Sequence, residues 1–378
     1  MKRILIYDTA IEGHRLEYIH HIYMAVADVN AEFVFAVPES FLKLKAKMNW
    51  PERKNVSFDL IPENDIKQCS GNYLKERWNK AKLAAKYIKK NNVNEVFFIE
   101  LVVLFPFLPL FLPKDVKVSG ILYRLVPYEW NRLSLFTKVK DAIEMYVIGH
   151  SSSVKTPMCL NDNSCACYFN KKFNTQKYIS IVDPVNPLVY NPVSRRDSIN
   201  AGDDDKVILH FGSMTERKGT LVLLEAACMM KEELLKDKVF VFAGKVSSEI
   251  KEKFENYIDK LRRKARVVVY EGFCTYELLS DLCYSCDTIV VPYKNTSYSS
   301  GVIGYASLFH KTVIGPGDGL LGKLIKRNGL GLTLKNNSPV ELAKVLEMED
   351  AYLPRPNNYP DKNTLELFTN SIIETIMG

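Results

Sequence analysis

Two signatures that mark common nucleotide-binding enzymes are missing from this sequence. After the first strand-like run, KRILIYDT, only Gly13 follows, where dinucleotide-dependent dehydrogenases carry a G-x-G-x-x-G turn. No Asp-x-Asp lies beside a predicted strand end, and the acidic run at 202–206 precedes its strand, as is typical of a linker loop. The sequence therefore disfavours a dehydrogenase, and we expect neither a bound metal nor another cofactor.

The eight cysteines lack the spacing of a disulfide framework, which indicates a reducing compartment. Cys283-x-x-Cys286 has the spacing of half a zinc site, but no second cysteine or histidine pair follows at a matching distance. Cys165-x-Cys167 lies in a segment, 164–169, that we predict to be a strand. Buried thiols are the favoured interpretation of both pairs.

No secretory leader is expected, because Met1-Lys2-Arg3 runs directly into ILIY without a cleavage-site pattern. A longer apolar run, 96–113, approaches the length of a membrane span, but Glu100 and three prolines interrupt it. The pattern favours a buried strand over 95–100 and then an apolar helix or loop. We expect that segment to lie in the core, with insertion into a bilayer as the alternative.

Positive charge is concentrated in the first half of the chain. Residues 1–190 contain 26 Lys and Arg against 19 Asp and Glu, whereas residues 191–378 contain 25 of each. The densest basic segment, 74–90, has helical periodicity and is either a solvated lysine face or a contact with an anionic membrane. No aromatic–basic stacking pattern is present, so nucleic acid is not an expected partner. The expected location is the cytoplasm, with peripheral contact at the inner membrane face as a further hypothesis.

Strand-like and helix-like segments alternate along the chain, which predicts an α/β fold. The strand-like runs are almost continuously apolar, as expected for parallel strands covered on both faces. The alternation pauses at the proline-containing stretch 186–197 and then restarts. We therefore predict two Rossmann-like domains facing a central cleft, at 1–185 and 186–358, and a C-terminal helix at 359–378 that packs back on the first domain.

Three places in the second half combine a strand end or helix start with glycine and a cation or hydroxyl. Glycine lets a ligand approach the backbone, Lys and Arg neutralise phosphate, and a helix start offers free N–H groups. Together they predict a diphosphate site, although each is common in α/β proteins and the Ser-Ser-Gly turn is also a plausible plain cap. The residues are Gly212, Ser213, Arg217 and Lys218, then Gly244 and Lys245, then Ser299, Ser300, Gly301 and Val302.

The order of KGTLVLLEA, FVFAGK, VVYEGF and SSGVIGYASLFHKTVI resembles the C-terminal domain of GT-B glycosyltransferases. It is most similar to the retaining, nucleotide-sugar-using family four, the glycosyl transferases group 1. The resemblance covers 205–345 clearly and 1–185 more weakly. It implies that Lys218 and the amides of 300–302 bind the donor diphosphate, and that Phe273 lies beside the base.

Three positions depart from the pattern of that family. Ser213 stands where the family has an arginine after its glycine, and Arg217 is a candidate replacement. Ser297 and Tyr305 stand where the family has two glutamates that contact the donor sugar and the ribose. These changes leave the diphosphate interpretation intact, but the donor sugar, the base and the activity itself depend on them. We favour a variant of the family over an inactive protein and keep Tyr305 as a candidate binding residue.

The first half contains candidate acceptor and catalytic residues at predicted strand ends. Gly13, His14 and Arg15 follow the first strand at a helix start, where His14 would hydrogen-bond the transferred sugar or simply cap its helix, and Arg15 would meet phosphate. Glu100 and Arg124 end the EVFFIE and VSGILYR strands, where acceptor groups would lie, although a solvated Glu100 is the simpler alternative. His14, Glu100, Arg124 and Lys218 are therefore the predicted catalytic residues.

The resemblance implies a retaining glycosyltransferase that moves a sugar from a nucleotide-diphosphate sugar to a glycan or lipid-linked acceptor. Surface polysaccharide or glycoconjugate synthesis is the expected context, since the basic first half suits an anionic acceptor. One alternative is a catalytically degenerate GT-B protein that serves as a partner or scaffold subunit. Another is a GT-B sugar-nucleotide epimerase, which would need clear carboxylates in the site.

Overall fold

The computed structural model describes residues 1–11, 13–188 and 190–378. The chain divides into two compact units. Unit 1 comprises Met1–Val182 and Leu365–Gly378, and unit 2 comprises Asp183–Thr364. Each unit is an α/β domain with one parallel sheet, so the predicted pair of Rossmann-like domains is confirmed.

Unit 1 contains a seven-stranded sheet with helices between its strands. The strands are β1 Lys2–Tyr7, β2 Ala31–Pro38, β3 Val56–Ile61, β4 Glu95–Phe98, β5 Lys117–Leu122, β6 Val154–Leu160 and β7 Ile179–Ile181. The helices are α1 His14–Ala25, α2 Phe41–Lys47, α3 Glu63–Gln68, α4 Tyr73–Asn91, α5 Leu135–His150 and α6 Asn163–Phe173. The strands pair in parallel in the order β3-β2-β1-β4-β5-β6-β7.

Unit 2 repeats this design with six parallel strands. They are β8 Lys206–Phe211, β9 Lys238–Gly244, β10 Arg266–Glu271, β11 Thr288–Val290, β12 Thr312–Pro316 and β13 Gly331–Leu334, in the order β10-β9-β8-β11-β12-β13. The helices are α7 Thr220–Met229, α8 Lys251–Arg262, α9 Tyr276–Ser285, α10 Gly301–Leu308, α11 Gly319–Arg327, α12 Pro339–Leu346 and α13 Tyr359–Lys362. The strand order reverses direction at β8, which is where open α/β sheets bind ligands beyond their strand ends.

The tail, predicted as one element over 359–378, consists of two helices. The short helix α13 belongs to unit 2, whereas α14, Leu365–Met377, belongs to unit 1. Phe368, Ile372 and Ile376 of α14 are buried in the same cluster as residues of β1, β2 and α1. The chain therefore leaves unit 1 at Val182 and returns to it for its last helix.

The prediction of a strand at 164–169 is wrong, because this segment lies in helix α6. Asp162 caps this helix by accepting a hydrogen bond from the Cys165 N–H at 2.9 Å. Cys165, Ala166, Phe169 and Phe173 then form a buried stripe at helical spacing. The actual strand, β6, comes just before and includes Pro157, a residue that normally argues against a strand.

The apolar run 96–113 is confirmed as a buried strand followed by an irregular apolar segment. After β4, two single 3₁₀ turns, Val102–Leu104 and Leu108–Leu110, carry the chain to β5. Leu104, Phe105 and Leu108 are buried. Among the described residues, no helix is both long and apolar enough to cross a membrane.

Candidate functional site

Three glycines lie side by side at the carboxyl edge of the unit 2 sheet. Gly212 follows β8, Gly244 ends β9 and Gly272 follows β10, all with positive φ. The Gly212 N–H donates to the Ala243 carbonyl at 2.9 Å, and the Gly272 N–H donates to the Gly244 carbonyl at 3.1 Å. A Cβ on Gly244 would lie 1.9 Å from the Gly212 oxygen, whereas a Cβ on Gly212 or Gly272 would meet open space. The row is therefore a side-chain-free ledge that a flat ligand can approach closely.

The turn that carries Arg217 and Lys218 is pressed against the end of β11. Gly219 has φ +69, and a Cβ there would lie 1.8 Å from the Pro292 carbonyl oxygen, so only glycine fits. The Lys294 N–H donates to the Arg217 carbonyl at 2.9 Å, which joins the turn to the loop after β11. This packing fixes the backbone of Lys218 next to the loop that leads into α10.

Lys218 is tied to the start of α10 by a buried tyrosine. Its Nζ lies 3.8 Å from the centroid of the Tyr293 ring, a short cation–π contact. The hydroxyls of Tyr293 and Ser300 hydrogen-bond at 3.3 Å. Tyr293 and Ser300 are both buried. One aromatic side chain therefore orients both the cation and the helix start that the sequence predicts to bind diphosphate.

The start of α10 leaves its first amides without a side-chain cap. Ser300 is the extended N-cap residue, but its hydroxyl contacts Tyr293 and does not accept from the helix. The N–H groups of Gly301 and Val302 occupy the first turn, where intrahelical acceptors do not exist. With the partial positive charge of the helix end and the ammonium of Lys218, these amides form a site suited to an anion.

The remaining predicted residues of unit 2 lie around this centre. Ser213, Arg217, Lys245 and Phe273 are exposed on the loops after β8, β9 and β10. Phe273 stands out, since its ring follows the glycine ledge directly and is 92% exposed. An aromatic ring this exposed is available to stack on a planar ligand.

Three hydroxyl residues near α10 are committed to protein contacts. Ser299 donates to the Asp183 carboxylate at 2.6 Å, and Ser297, which is fully buried, donates to the Asn295 side-chain oxygen at 2.8 Å. The Tyr305 ring lies edge-on to Phe211, with centroids 5.6 Å apart. The two family glutamates are therefore replaced by a buried serine and by an aromatic that packs against the end of β8.

A neutral, buried histidine packs against the residues that follow the Lys218 turn. His210, in β8, donates from Nδ1 to the Val290 carbonyl at 2.9 Å, and its Nε2 accepts from the Thr220 hydroxyl at 3.0 Å. Burial, with a smaller contribution from the charge of Lys218, lowers the pKa of His210 to about 4, although the hydrogen bond to the Val290 carbonyl opposes the shift. This uncharged imidazole joins β8, β11 and the first residue of α7, just beneath the Lys218 turn.

In unit 1, Arg15 joins two carboxylates at adjacent strand ends. Asp8 follows β1 and Glu100 follows β4, and these strands are neighbours. From α1, Arg15 lies 3.1 Å from Asp8 Oδ1 and also pairs with Glu100. Burial raises the pKa of Asp8, although Arg15 and the backbone N–H groups of Ala10 and Thr9 oppose the shift. Arg15 and Glu100 therefore neutralise each other, which is not the free cation and free base that the sequence suggested.

The other predicted residues of unit 1 make contacts of their own. Gly13 caps α1 with φ 57, and the His14 ring lies 3.2 Å from the Glu17 carboxylate. Arg124 pairs with Glu129 and lies 2.9 Å from Asp141. Burial alone would lower the pKa of Arg124, but these two carboxylates outweigh it and raise the pKa. The roles of His14, Glu100 and Arg124 in catalysis stay predictions.

The cysteine pair Cys283 and Cys286 is buried in and after α9. Burial raises the pKa of both thiols, that of Cys286 to about 12, so neither is an effective thiolate ligand in this setting. Over the ranges 1–11, 13–188 and 190–378, no group of three or more His, Cys, Asp or Glu side chains is placed to hold a metal ion.

Comparison with known families and structures agrees with this geometry. Residues 194–348 match the family model of glycosyl transferases group 1. Unit 2 is a group 1 glycosyltransferase domain. The match includes the glycine ledge, the Lys218 turn and the start of α10, and the resemblance inferred from the sequence is confirmed there.

Solved structures match this chain along its whole length. HepE of Anabaena, in complex with UDP-glucose, has a TM-score of 0.69 at 13% identity and covers 100% of both chains. WaaG, a glycosyltransferase involved in lipopolysaccharide biosynthesis, has a TM-score of 0.69 at 17% identity and also covers 100% of both chains. Sucrose-phosphate synthase of Thermosynechococcus elongatus has a TM-score of 0.67 at 12% identity and covers 100% of this chain and 98% of its own. No curated protein matches the sequence. These likenesses establish the GT-B fold.

Several residues of the site have no local signature. Tyr293 follows a strand that ends in proline, and only its contact with Lys218 shows its role. Asp8 follows an ordinary first strand, and only its ion pair with Arg15 in the structure identifies it as part of this group. Gly272 could have been predicted as a site residue, because VVYEGF repeats the strand–glycine pattern of β8 and β9.

Proposed function

We propose that this glycosyltransferase transfers a sugar, with retention, from a nucleotide-diphosphate sugar bound by unit 2 to a glycan or lipid-linked acceptor bound by unit 1. The observation that carries the proposal is the Lys218–Tyr293–Ser300 arrangement beside the uncapped amides of α10. It presents one ammonium and two N–H groups to a single anion. No metal or other cofactor is part of the proposal.

The diphosphate would be the leaving group of the reaction. When the bond from the sugar to the diphosphate breaks, negative charge grows on the phosphate oxygens. Groups already oriented toward that charge lower the barrier, because they need no reorganisation during the step. Lys218 is held on an aromatic ring and the α10 amides are held by the helix, so both are preorganised. Arg217, exposed one residue earlier, takes the place of the missing family arginine.

The nucleoside would lie along the glycine ledge. Gly212, Gly244 and Gly272 present backbone without side chains, and Phe273 supplies an exposed ring beside them. HepE, which shares the fold, was crystallised with UDP and with UDP-glucose. We therefore favour a uridine diphosphate donor.

The donor sugar would meet a site without the two family carboxylates. Ser297 is buried on Asn295, and Tyr305 packs on Phe211. Hydrogen bonds to the sugar and ribose would come instead from neutral groups, with the Asn295 side chain and the Tyr305 hydroxyl as candidates. Neutral hydrogen bonds are about half as strong as charge-assisted ones, so this donor site should discriminate less between sugar epimers.

The acceptor would bind at the carboxyl ends of β1, β4 and β5 in unit 1. His14 lies there on the first turn of α1, next to the Asp8–Arg15–Glu100 group. We propose that His14 contacts the transferred sugar and that the paired charges hold acceptor hydroxyls. Surface polysaccharide or glycoconjugate synthesis is the proposed context, in line with the role printed for WaaG.

Incubation with a panel of nucleotide sugars tests the proposal. We expect slow hydrolysis of one uridine diphosphate sugar, and a loss of about 100-fold or more in Lys218→Ala, which removes one preorganised cation. Lys251→Ala is the control, since Lys251 lies on α8 in exposed ion pairs. If no nucleotide raises the melting temperature of the protein, a scaffold role replaces the enzyme. If the sugar is interconverted without release, the protein is an epimerase.

A further inference from the structure

Helix α5 exposes most of its large apolar side chains and buries both of its acids, although Met145 and Ile148 also lie on its buried side. Five large apolar residues are between 49% and 79% exposed: Leu135, Phe136, Val139, Ile143 and Tyr146. The two acidic residues of the same helix, Asp141 and Glu144, are buried. A surface helix ordinarily shows the reverse arrangement, with its apolar stripe toward the core. The outward apolar side, called the α5 face below, therefore needs an explanation.

The orientation of α5 is fixed by the buried acids. Asp141 lies 2.9 Å from Arg124, and Glu144 hydrogen-bonds to Tyr73 and lies 3.4 Å from Arg77. Rotating the helix to bury its apolar side would expose these acids and break the pairing of Asp141 with Arg124 and of Glu144 with Arg77. Breaking buried ion pairs costs several kcal/mol, so the outward position of the α5 face is built into the packing of α4 against α5.

The α5 face is one continuous stripe. Leu135, Val139, Ile143 and Tyr146 recur at steps of four, four and three residues, with Phe136 beside the first. At the helical rise the stripe is roughly 16 Å long. This exceeds the scatter of single exposed apolar side chains that is normal for proteins.

The charges around the α5 face are all positive. Arg132 precedes the helix and Lys138 flanks the stripe, while Lys140 pairs with Asp141 at 3.3 Å. Both acids of the segment 130–150 are buried. The neighbouring helix α6 adds exposed Lys171 and Lys172 and the half-exposed ring of Tyr168. An apolar stripe with a cationic rim and aromatic residues is the composition that binds in the interface of an anionic membrane.

We propose that the α5 face docks unit 1 on the surface of an anionic lipid bilayer. A second copy of this chain would be a poorer occupant, because a two-fold contact would bring the same cationic rims together. Helix α4, the membrane candidate from sequence, fits less well. Three of its lysines are paired, Lys80 with Glu76, Lys86 with Asp65 and Lys90 with Asp59. Half of its six lysines are therefore compensated by acids of the protein.

The proposal does not depend on the donor site. Its functional consequence, which rests on the proposed function, is that a lipid-linked acceptor reaches unit 1 from the membrane. Val139 and Val340 provide a matched pair for the test, since each is a helix valine that is 53% exposed, on α5 and on α12 respectively. Glutamate at either position should be tolerated by the fold, and only at 139 would it face lipid.

Vesicle flotation of the full chain tests docking. With phosphatidylglycerol-containing phosphatidylcholine vesicles, we expect wild type and Val340→Glu to float, and Val139→Glu to lose about tenfold or more of its binding. Phe136→Ser is a second variant, which leaves the net charge unchanged and therefore measures the apolar contribution to vesicle binding alone. Pure phosphatidylcholine vesicles should retain little protein, and added salt should weaken the binding to anionic vesicles.

Donor hydrolysis in solution separates this proposal from the enzyme assignment. Val139→Glu should hydrolyse the nucleotide sugar as wild type does, so lost flotation with normal hydrolysis supports docking. The proposal is overturned if wild type binds neither vesicle, or if Val139→Glu and Val340→Glu float alike. It is also overturned if wild type is a dimer that Val139→Glu dissociates, because the α5 face is then an interface between copies.

Discussion

The two sheets share a strand order but differ at their carboxyl ends. In unit 2, the ends of β8, β9 and β10 are glycines, and an isolated ammonium lies beside an uncapped helix. In unit 1, the loops after β1, β4 and β5 carry Asp8, Glu100 and Arg124, each paired with an opposite charge. Free backbone amides and cations suit a diphosphate, whereas compensated charges suit a hydroxyl-bearing ligand. The same topology therefore serves two kinds of chemistry through its loops alone.

Glycine should be indispensable in the ledge of unit 2, and the largest expected effect is at Gly244. A Cβ there would overlap the Gly212 carbonyl oxygen at 1.9 Å, with φ +143 adding strain. We expect Gly244→Ala to destabilise unit 2 by about 3 kcal/mol or more, seen as faster hydrogen exchange in β8 and β9. Gly272→Ala is the control: its φ of +117 also brings backbone strain, but its Cβ meets open space, so it should be destabilised less. Equal exchange in both variants would show that the ledge tolerates side chains.

Charge compensation should matter for stability in unit 1. Arg15→Ala leaves Asp8 and Glu100 without their shared cation. We expect a loss of roughly 2–3 kcal/mol in the free energy of unfolding of unit 1, and no change in UDP affinity. The three tryptophans, Trp50, Trp78 and Trp130, all lie in unit 1, so their fluorescence during urea unfolding reports this unit alone.

Partial recovery in Arg15→Ala combined with Asp8→Asn would confirm that the cost comes from an unpaired carboxylate. A fall in UDP affinity in Arg15→Ala would instead make Arg15 a phosphate ligand, as the sequence suggested, and the contrast between the units would disappear.

The residue types at the strand ends could be predicted from the sequence, whereas the ion pairs between distant residues could not. Gly212, Gly244 and Lys218 were predictable as site candidates, because glycines and a lysine recur in combination after successive apolar strands. The pairing of Arg15 with Glu100 was not, since 85 positions separate them and only the adjacency of β1 and β4 brings them together. Helix α6 was mistaken because a short apolar run satisfies strand and helix periods equally well.

The buried imidazole of His210, below the Lys218 turn, should resist protonation, and the pH dependence of the stability of unit 2 tests this. The folded pKa of His210 is about 4, below the ordinary value of 6.5, so the unfolded chain binds the proton first. Stability should fall as pH drops below 6.5 and level off near pH 4, with a loss of about 2 kcal/mol by pH 5. Hydrogen exchange of unit 2 peptides measures this. His210→Asn, which can keep both hydrogen bonds, should remove that slope, and an unchanged slope would assign it to other groups.

The smallest expected effect separates the two functions of Tyr293. Tyr293→Phe keeps the ring under Lys218 but removes the 3.3 Å hydrogen bond to Ser300. A neutral hydrogen bond contributes about 1 kcal/mol, so UDP affinity should fall by roughly fivefold while uridine affinity is unchanged. Tyr293→Leu also removes the ring and should weaken UDP further. Calorimetric titration of both ligands into each variant measures this, and equal UDP affinity in wild type and both variants would leave Tyr293 a core residue, with the ammonium and the α10 amides positioned independently.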